Sequence, residues 1–184
     1  MIKYTTINKM VDEYDVTFAV KEWLLEHDWE VVAFNPPGSQ GTFTIPDPAK
    51  DPKYRGQSGS KSPDIIAVKN SNYVLIIECK PTYNQKDKEK LLSIYENKER
   101  MNLLVELLEK VCRANNVSFK KPAKIILSIA HGGQTALRMD MQTFIVSTDN
   151  KWNPTKIDPD IDPYRFMKVI FIESNRLIGE IIEK

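Results

Sequence analysis

The most informative part of the sequence is residues 62–80, which read SPDIIAVKNSNYVLIIECK. Two apolar runs rich in β-branched residues are separated here by a short polar segment, and this pattern predicts a β-hairpin. Side chains alternate between the two faces of a strand, so we expect Glu78 and Lys80 to project to the same face. Asp64 begins the first strand, and a hairpin can bring it beside the end of the second. The sequence therefore predicts three charged groups at one end of an apolar hairpin.

Such a cluster suits metal-assisted hydrolysis of a phosphodiester. Two neighbouring carboxylates repel each other unless a divalent cation lies between them, and Mg²⁺ is usually held by one or two carboxylates with waters and phosphate oxygens. A lysine could orient or help to deprotonate the attacking water. The alternative is a surface hairpin with solvated charges. We favour the functional interpretation because Glu78 and Lys80 follow an apolar run without a turn signal, where charge is costly.

The pair Pro63-Asp64, followed after thirteen residues by Glu78-Cys79-Lys80, resembles the signature of the PD-(D/E)XK nuclease superfamily. The resemblance extends over residues 1–130, because apolar strands and a helix surround the motif in the expected order. It implies a restriction-endonuclease-like α/β core, with a mixed central β-sheet flanked by helices. It also implies Mg²⁺-dependent DNA cleavage, with Mn²⁺ as an alternative ion. Asp64 and Glu78 would be the metal ligands, and Lys80 would lie beside the attacking water.

A first helix is predicted over residues 10–28, where apolar side chains recur with helical spacing. In many members of the superfamily a glutamate from the first helix completes the metal site. Glu13 is our candidate, because it lies three residues before Val16 on the inward stripe. An acidic residue also stabilises a helix N-terminus, so the sequence supports a purely helix-stabilising role for Glu13 as strongly as a role at the metal site. Glu22 is the rival, although it lies beside the stripe.

Residues 38–61 predict a long loop insertion in the N-terminal half, with one strand-like segment at 42–45. Long irregular segments inside a domain are often functional, and this one leads directly to Asp64. Arginine, lysine and glutamine side chains contact phosphates and base edges. A solvated loop remains the alternative. The predicted DNA-binding residues are Lys53, Arg55, Gln57 and Lys61 in the loop and Lys86 in the following helix.

The chain beyond Lys80 predicts a helical segment that ends near residue 114 and is bent or divided at residues 96–100. A buried strand is expected at 124–130, followed by a turn at 131–133. Further strands at 142–147 and 167–172 either extend the sheet or form a small C-terminal β addition.

Composition limits the classes of function. Apolar residues make up 41% and charged residues 28%, which is ordinary for a soluble domain. Since the net charge is only +1, attraction to nucleic acid must come from local patches. We expect no membrane span and no signal peptide, and hence a cytoplasmic protein. Cys79 and Cys112 are predicted to be reduced, buried thiols.

The sequence thus predicts one PD-(D/E)XK nuclease-like domain over residues 1–184 that cleaves double-stranded DNA. The most specific hypothesis is a type II restriction endonuclease, or its small subunit, acting as a homodimer or with a larger partner subunit. The alternatives are a non-catalytic DNA-binding or assembly module of the same fold, a structure-specific repair or recombination nuclease, and an RNA nuclease.

Overall fold

The computed structural model describes residues 11–39, 41, 43–50, 59–133, 141–148, 167–172 and 180–181. The helices are α1 Glu13–Glu26, α2 Gln85–Tyr95 and α3 Lys98–Ala114. The strands are β1 Glu30–Phe34, β2 Ile65–Lys69, β3 Tyr73–Lys80, β4 Ala123–Gly132, β5 Gln142–Thr148, β6 Met167–Ile172 and β7 Glu180–Ile181.

Six strands form one sheet in the order β1-β2-β3-β4-β5-β6. The pairs β1·β2, β2·β3 and β5·β6 are antiparallel, whereas β3·β4 and β4·β5 are parallel. The two-residue strand β7 pairs with the start of β4. The prediction of an α/β fold with a mixed sheet flanked by helices is therefore confirmed. Strands β5 and β6 extend this sheet rather than forming a separate layer.

Helices cover both faces of the sheet. On one face α1 packs against alternate strand residues such as Ile65, Ile77 and Cys79. On the other face α2 and α3 pack against the intervening residues, including Ile66 and Ile76. Strands buried on both faces read as continuous apolar runs, which explains why β2 and β3 lack polar alternation.

The hairpin predicted around residues 62–80 is present. Lys69 pairs with Tyr73 at its tip, and Ile65 pairs with Ile77 at its open end. Asn70 and Ser71 adopt φ values of 53° and 64° in the connection. Asparagine is among the residues that best tolerate this left-handed conformation, so the local sequence favours a tight turn between the two strands.

Local capping explains the helix boundaries. The Asp12 side chain accepts a hydrogen bond from the Asp15 backbone N–H, and the Asp15 side chain accepts one from the Asp12 backbone N–H, which fixes the start of α1. The side chains of Asn84 and Asn97 cap the starts of α2 and α3. The second cap lies within the polar interruption at residues 96–100. Of the two outcomes predicted there, division into two helices is correct.

Two local predictions were wrong. The turn expected at 131–133 begins later, because His131 and Gly132 continue β4 by pairing with Ile145 and Val146 of β5. At residues 42–45 the described part forms no strand, but only an isolated bridge between Ile45 and Lys61. Whether a segment forms a strand depends here on the strands available to pair with it, and local sequence does not specify those partners.

Cys79 and Cys112 are free and buried, as predicted. Burial is the main cause that raises the pKa of both thiols above the ordinary value. Within the described ranges, none of the helices has the length and apolar character needed to cross a bilayer.

Two isoleucines of the sheet differ in burial. Ile76 is fully buried in β3, whereas Ile170 in β6 is 43% exposed. Replacing Ile76 with alanine should lower the free energy of unfolding by about 2–5 kcal/mol through lost burial and cavity formation. The matched Ile170→Ala change should cost less than about 1 kcal/mol. Urea unfolding followed by circular dichroism checks both, and equal losses would contradict the assigned sheet register.

Candidate functional site

The β2–β3 hairpin brings Asp64, Glu78 and Lys80 to one end of the sheet. Ile66 and Ile76 face the α2–α3 layer, so strand alternation places all three charged residues on that face. The hydrogen-bond ladder also includes the residue just before β2, because the Asp64 backbone N–H donates to the carbonyl of Ile77 at 3.1 Å. Asp64 therefore lies opposite Glu78 on the neighbouring strand.

Asp64 is oriented by a bond to the strand that carries the other two groups. Its Oδ2 accepts a hydrogen bond from the backbone N–H of Cys79 at 2.7 Å. Burial raises the pKa of Asp64 above its ordinary value, and the charge of Glu13 adds to this. The Cys79 N–H and the ammonium groups of Lys80 and Lys90 act in the opposite direction.

Glu78 is the most buried charged residue of the cluster, with a relative exposure of 2%. Its Oε1 lies 2.5 Å from Lys90 Nζ and 4.0 Å from Lys80 Nζ. Its Oε2 is buried without a hydrogen-bond partner among the described residues. Burial, followed by repulsion from Asp64, raises the pKa of Glu78 from 4.5 to about 7, against the opposing effect of Lys90.

Lys80 is held by the first helix. Its Nζ donates to Oε1 of Glu13, the first residue of α1, at 2.7 Å. Burial alone would lower the pKa of Lys80, but the bond to Glu13 and the charges of Asp64 and Glu78 raise it above its ordinary value. Lys80 is therefore an ammonium group at neutral pH. It is suited to orient a ligand or stabilise negative charge rather than to act as a base.

A glycine allows the strand ends to approach closely at this edge. A Cβ added to Gly132 of β4 would lie 2.9 Å from the carbonyl oxygen of Pro81 and 3.1 Å from Cβ of Val11. Pro81 directly follows Lys80, and Val11 lies just before α1. The absence of a side chain at Gly132 thus permits the packing that brings Glu13 to Lys80.

A polar cleft of about 340 Å³ opens beside Asp64. It is lined by Asn35, Pro36, Pro37, Ser39, Gly41, Thr44, Ser62 and Asp64. Thr44 and Ser62 share a hydrogen bond of 2.8 Å between their hydroxyl groups. Apart from Asp64 the lining residues are uncharged, so the cleft suits the hydrogen-bonding part of a ligand rather than an isolated anion.

The described candidates outside this cluster are Lys61, Lys86 and Glu22. Lys61 forms the backbone bridge to Ile45, and Lys86 is exposed in the first turn of α2. Glu22, the rival of Glu13, pairs with Lys21 at 3.5 Å. The candidates Lys53, Arg55 and Gln57 lie outside the described residues.

Lys90 also belongs to the cluster, although it is not among the site residues predicted from the sequence. A signal was present, because Lys90 precedes the buried Ile94 by four residues and follows the buried Asp87 by three. Residues at these spacings share one face of a helix. Lys90 therefore points toward the sheet, whereas Lys86, one turn earlier at the start of α2, is exposed.

The site contains two acidic residues on the strands and a third, Glu13, that is engaged by Lys80. No group of three histidine, cysteine or acidic side chains arranged to hold a metal ion occurs in the described part of the chain. No family model, curated protein or solved structure matches this chain. The chemistry of the site must therefore be argued from its own geometry.

The raised pKa of Glu78 predicts a pH-dependent stability. The folded protein binds this proton more tightly than the unfolded chain, so the resulting stabilisation is complete below about pH 4.5 and is lost as the pH rises through about 7. Between these pH values the free energy of unfolding of the wild type should fall by roughly 3 kcal/mol more than that of Glu78→Gln. Urea unfolding in EDTA across this range measures the difference. Glu106→Gln, at an exposed position of α3, should follow the wild type. Parallel curves for wild type and Glu78→Gln would refute the assignment.

Proposed function

We propose that this protein is a Mg²⁺-dependent endonuclease that hydrolyses phosphodiester bonds in DNA, with a site of the PD-(D/E)XK type. The observation that carries the proposal is the pairing of Asp64 with Glu78 across two strands, with Lys80 on the same face. The acidic positions and the lysine match the motif residue by residue. The mixed α/β sheet flanked by helices is compatible with a restriction-endonuclease-like core.

The donor set fits a divalent cation. Glu78 retains a buried carboxylate oxygen without a hydrogen-bond partner among the described residues, and such an atom is costly unless a ligand satisfies it. Asp64 supplies the second carboxylate. Two carboxylates suffice for Mg²⁺, which completes its octahedron with waters and phosphate oxygens. Bound Mg²⁺ would polarise a phosphoryl oxygen and help to activate the attacking water.

The protein groups have separate roles in this proposal. The Lys80 ammonium faces the same space as the two carboxylates and stabilises negative charge that develops on the attacking oxygen or the phosphate. Glu13 positions Lys80 through the 2.7 Å ion pair, so we assign it this role in preference to metal ligation. The cleft beside Asp64 would accept the sugar or base next to the scissile phosphate through the hydroxyl groups of Thr44 and Ser62.

Double-stranded DNA is the proposed substrate, and a type II restriction endonuclease or its small subunit is the proposed biological role. Lys61, Lys86 and the loop residues Lys53, Arg55 and Gln57 are the proposed DNA contacts. One site of this kind cuts one strand, so cutting both strands requires a second copy or a partner subunit.

Cleavage of supercoiled plasmid tests the proposal. With Mg²⁺ the wild type should nick or linearise the plasmid, whereas Asp64→Asn and Lys80→Met should lose at least about 100-fold in rate, because each removes a group placed at the reacting centre. Glu106→Gln and Lys98→Met are matched controls at exposed helix positions and should retain wild-type rates. Circular dichroism establishes that every variant is folded.

Other outcomes of the same assay separate the alternatives. Fragments of defined length would support a site-specific enzyme, and cleavage only after addition of a larger chain would support the subunit role. Faster cleavage of RNA than of DNA would overturn the choice of substrate. DNA binding without cleavage, even with a partner subunit present, would favour a non-catalytic module.

A further inference from the structure

Lys90 of α2 is the closest cation to Glu78. Its Nζ donates to Glu78 Oε1 at 2.5 Å and to the backbone carbonyl of Ser62 at 3.1 Å. Lys80 is farther from the same oxygen, at 4.0 Å, and is already engaged by Glu13 at 2.7 Å. The two lysines therefore have different partners. Lys80 is paired with Glu13 of the first helix, whereas Lys90 is paired with the buried carboxylate of Glu78.

The contact with Lys90 places a positive charge on the same carboxylate that a metal ion would bind. Glu78 is almost fully buried, and its ionised form requires a positive neighbour. In the metal-free protein the Lys90 ammonium meets this requirement at Oε1, while Oε2 has no hydrogen-bond partner among the described residues. A divalent cation approaching Glu78 would meet both an occupied oxygen and a repelling charge.

Lys90 also has a route away from the carboxylate. Its side chain is 27% exposed, whereas that of Glu78 is 2% exposed. The lysine stem is flexible, and its ammonium can exchange partners at small cost when water is available. The second bond, to the Ser62 carbonyl, lies at the entrance to the strand that carries Asp64. Displacement of Lys90 thus requires no movement of the sheet.

We propose that Lys90 is an internal counter-cation that occupies the Glu78 carboxylate in the metal-free protein and is displaced when a divalent cation binds. This inference rests on the proposed function, because it concerns the same pair of carboxylates. Lys90 is a positioning residue in this scheme, because it holds the buried carboxylate in place until the metal binds. The consequence is a site whose metal affinity is weakened by the protein's own charge.

Isothermal titration of Mn²⁺ into the full-length protein, without DNA, tests the inference. Lys90→Met and Lys90→Gln should bind Mn²⁺ about tenfold more tightly than the wild type, because the metal no longer competes with an ammonium group. Lys90→Arg keeps the charge and should bind like the wild type. The control Lys98→Met changes an exposed lysine of α3 and should leave the affinity unchanged. Wild type and all variants are titrated in the same buffer at the same alkaline pH.

The outcomes distinguish this inference from the proposed function. Binding by the wild type that is lost in Asp64→Asn, with no gain in either neutral Lys90 variant, would overturn the role of Lys90 alone. A gain in Lys90→Arg equal to that in Lys90→Met would also overturn it, since charge would not be the cause. No Mn²⁺ binding by any variant would overturn the metal site itself. Lys90→Gln retains a hydrogen-bond donor and keeps the test available if Lys90→Met does not fold.

Discussion

The structure depends at this end of the sheet on one costly feature, the burial of the Glu78 carboxylate. A charged group with 2% exposure is unfavourable unless positive charge or hydrogen bonds compensate it. Lys90 supplies the first compensation, from the helix that follows the hairpin, and Lys80 supplies a weaker one at 4.0 Å. Asp64 acts in the opposite direction, because it adds a second negative charge. With Glu13, three carboxylates face two ammonium groups, and this excess of negative charge supports the proposed site for a divalent cation.

The register of the strands brings the carboxylates of Asp64 and Glu78 together. The antiparallel pairing of β2 with β3 places Asp64 opposite Glu78, and the parallel pairing of β3 with β4 buries the second strand on both sides. A shift of one residue in either strand would turn its carboxylate toward the α1 layer. The apolar residues of the hairpin therefore fix the register, and the register fixes the chemistry. Stability and the proposed function therefore depend on the same ladder of hydrogen bonds.

Much of this arrangement could be predicted from local sequence. The first helix follows from the helical spacing of its apolar residues, and the hairpin and the strand at 124–130 follow from short apolar runs bounded by polar residues. The proximity of Asp64, Glu78 and Lys80 follows from hairpin geometry alone. The continuation of β4 through His131 could not be predicted in this way, since it depends on pairing with β5.

The same distinction applies to the ion pairs. The bond between Glu13 and Lys80 joins residues that are 67 positions apart, and nothing in the local sequence of α1 specifies it. Lys90 was open to prediction from helical spacing, but its partner was not, because the orientation of α2 over the sheet is a tertiary property. Local patterns thus located both carboxylates and Lys80, whereas only the structure identified Glu13 as the partner of Lys80 and Lys90 as the nearest cation to Glu78.

The central claim is that Asp64 and Glu78 together bind one divalent cation. The most direct measurement is an anomalous difference map, recorded at the manganese absorption edge, from crystals grown with Mn²⁺. The account predicts one strong peak in contact with carboxylate oxygens of both residues, and loss of that peak in Asp64→Asn. A peak bound elsewhere, or a wild-type map without a peak at saturating Mn²⁺, would contradict it.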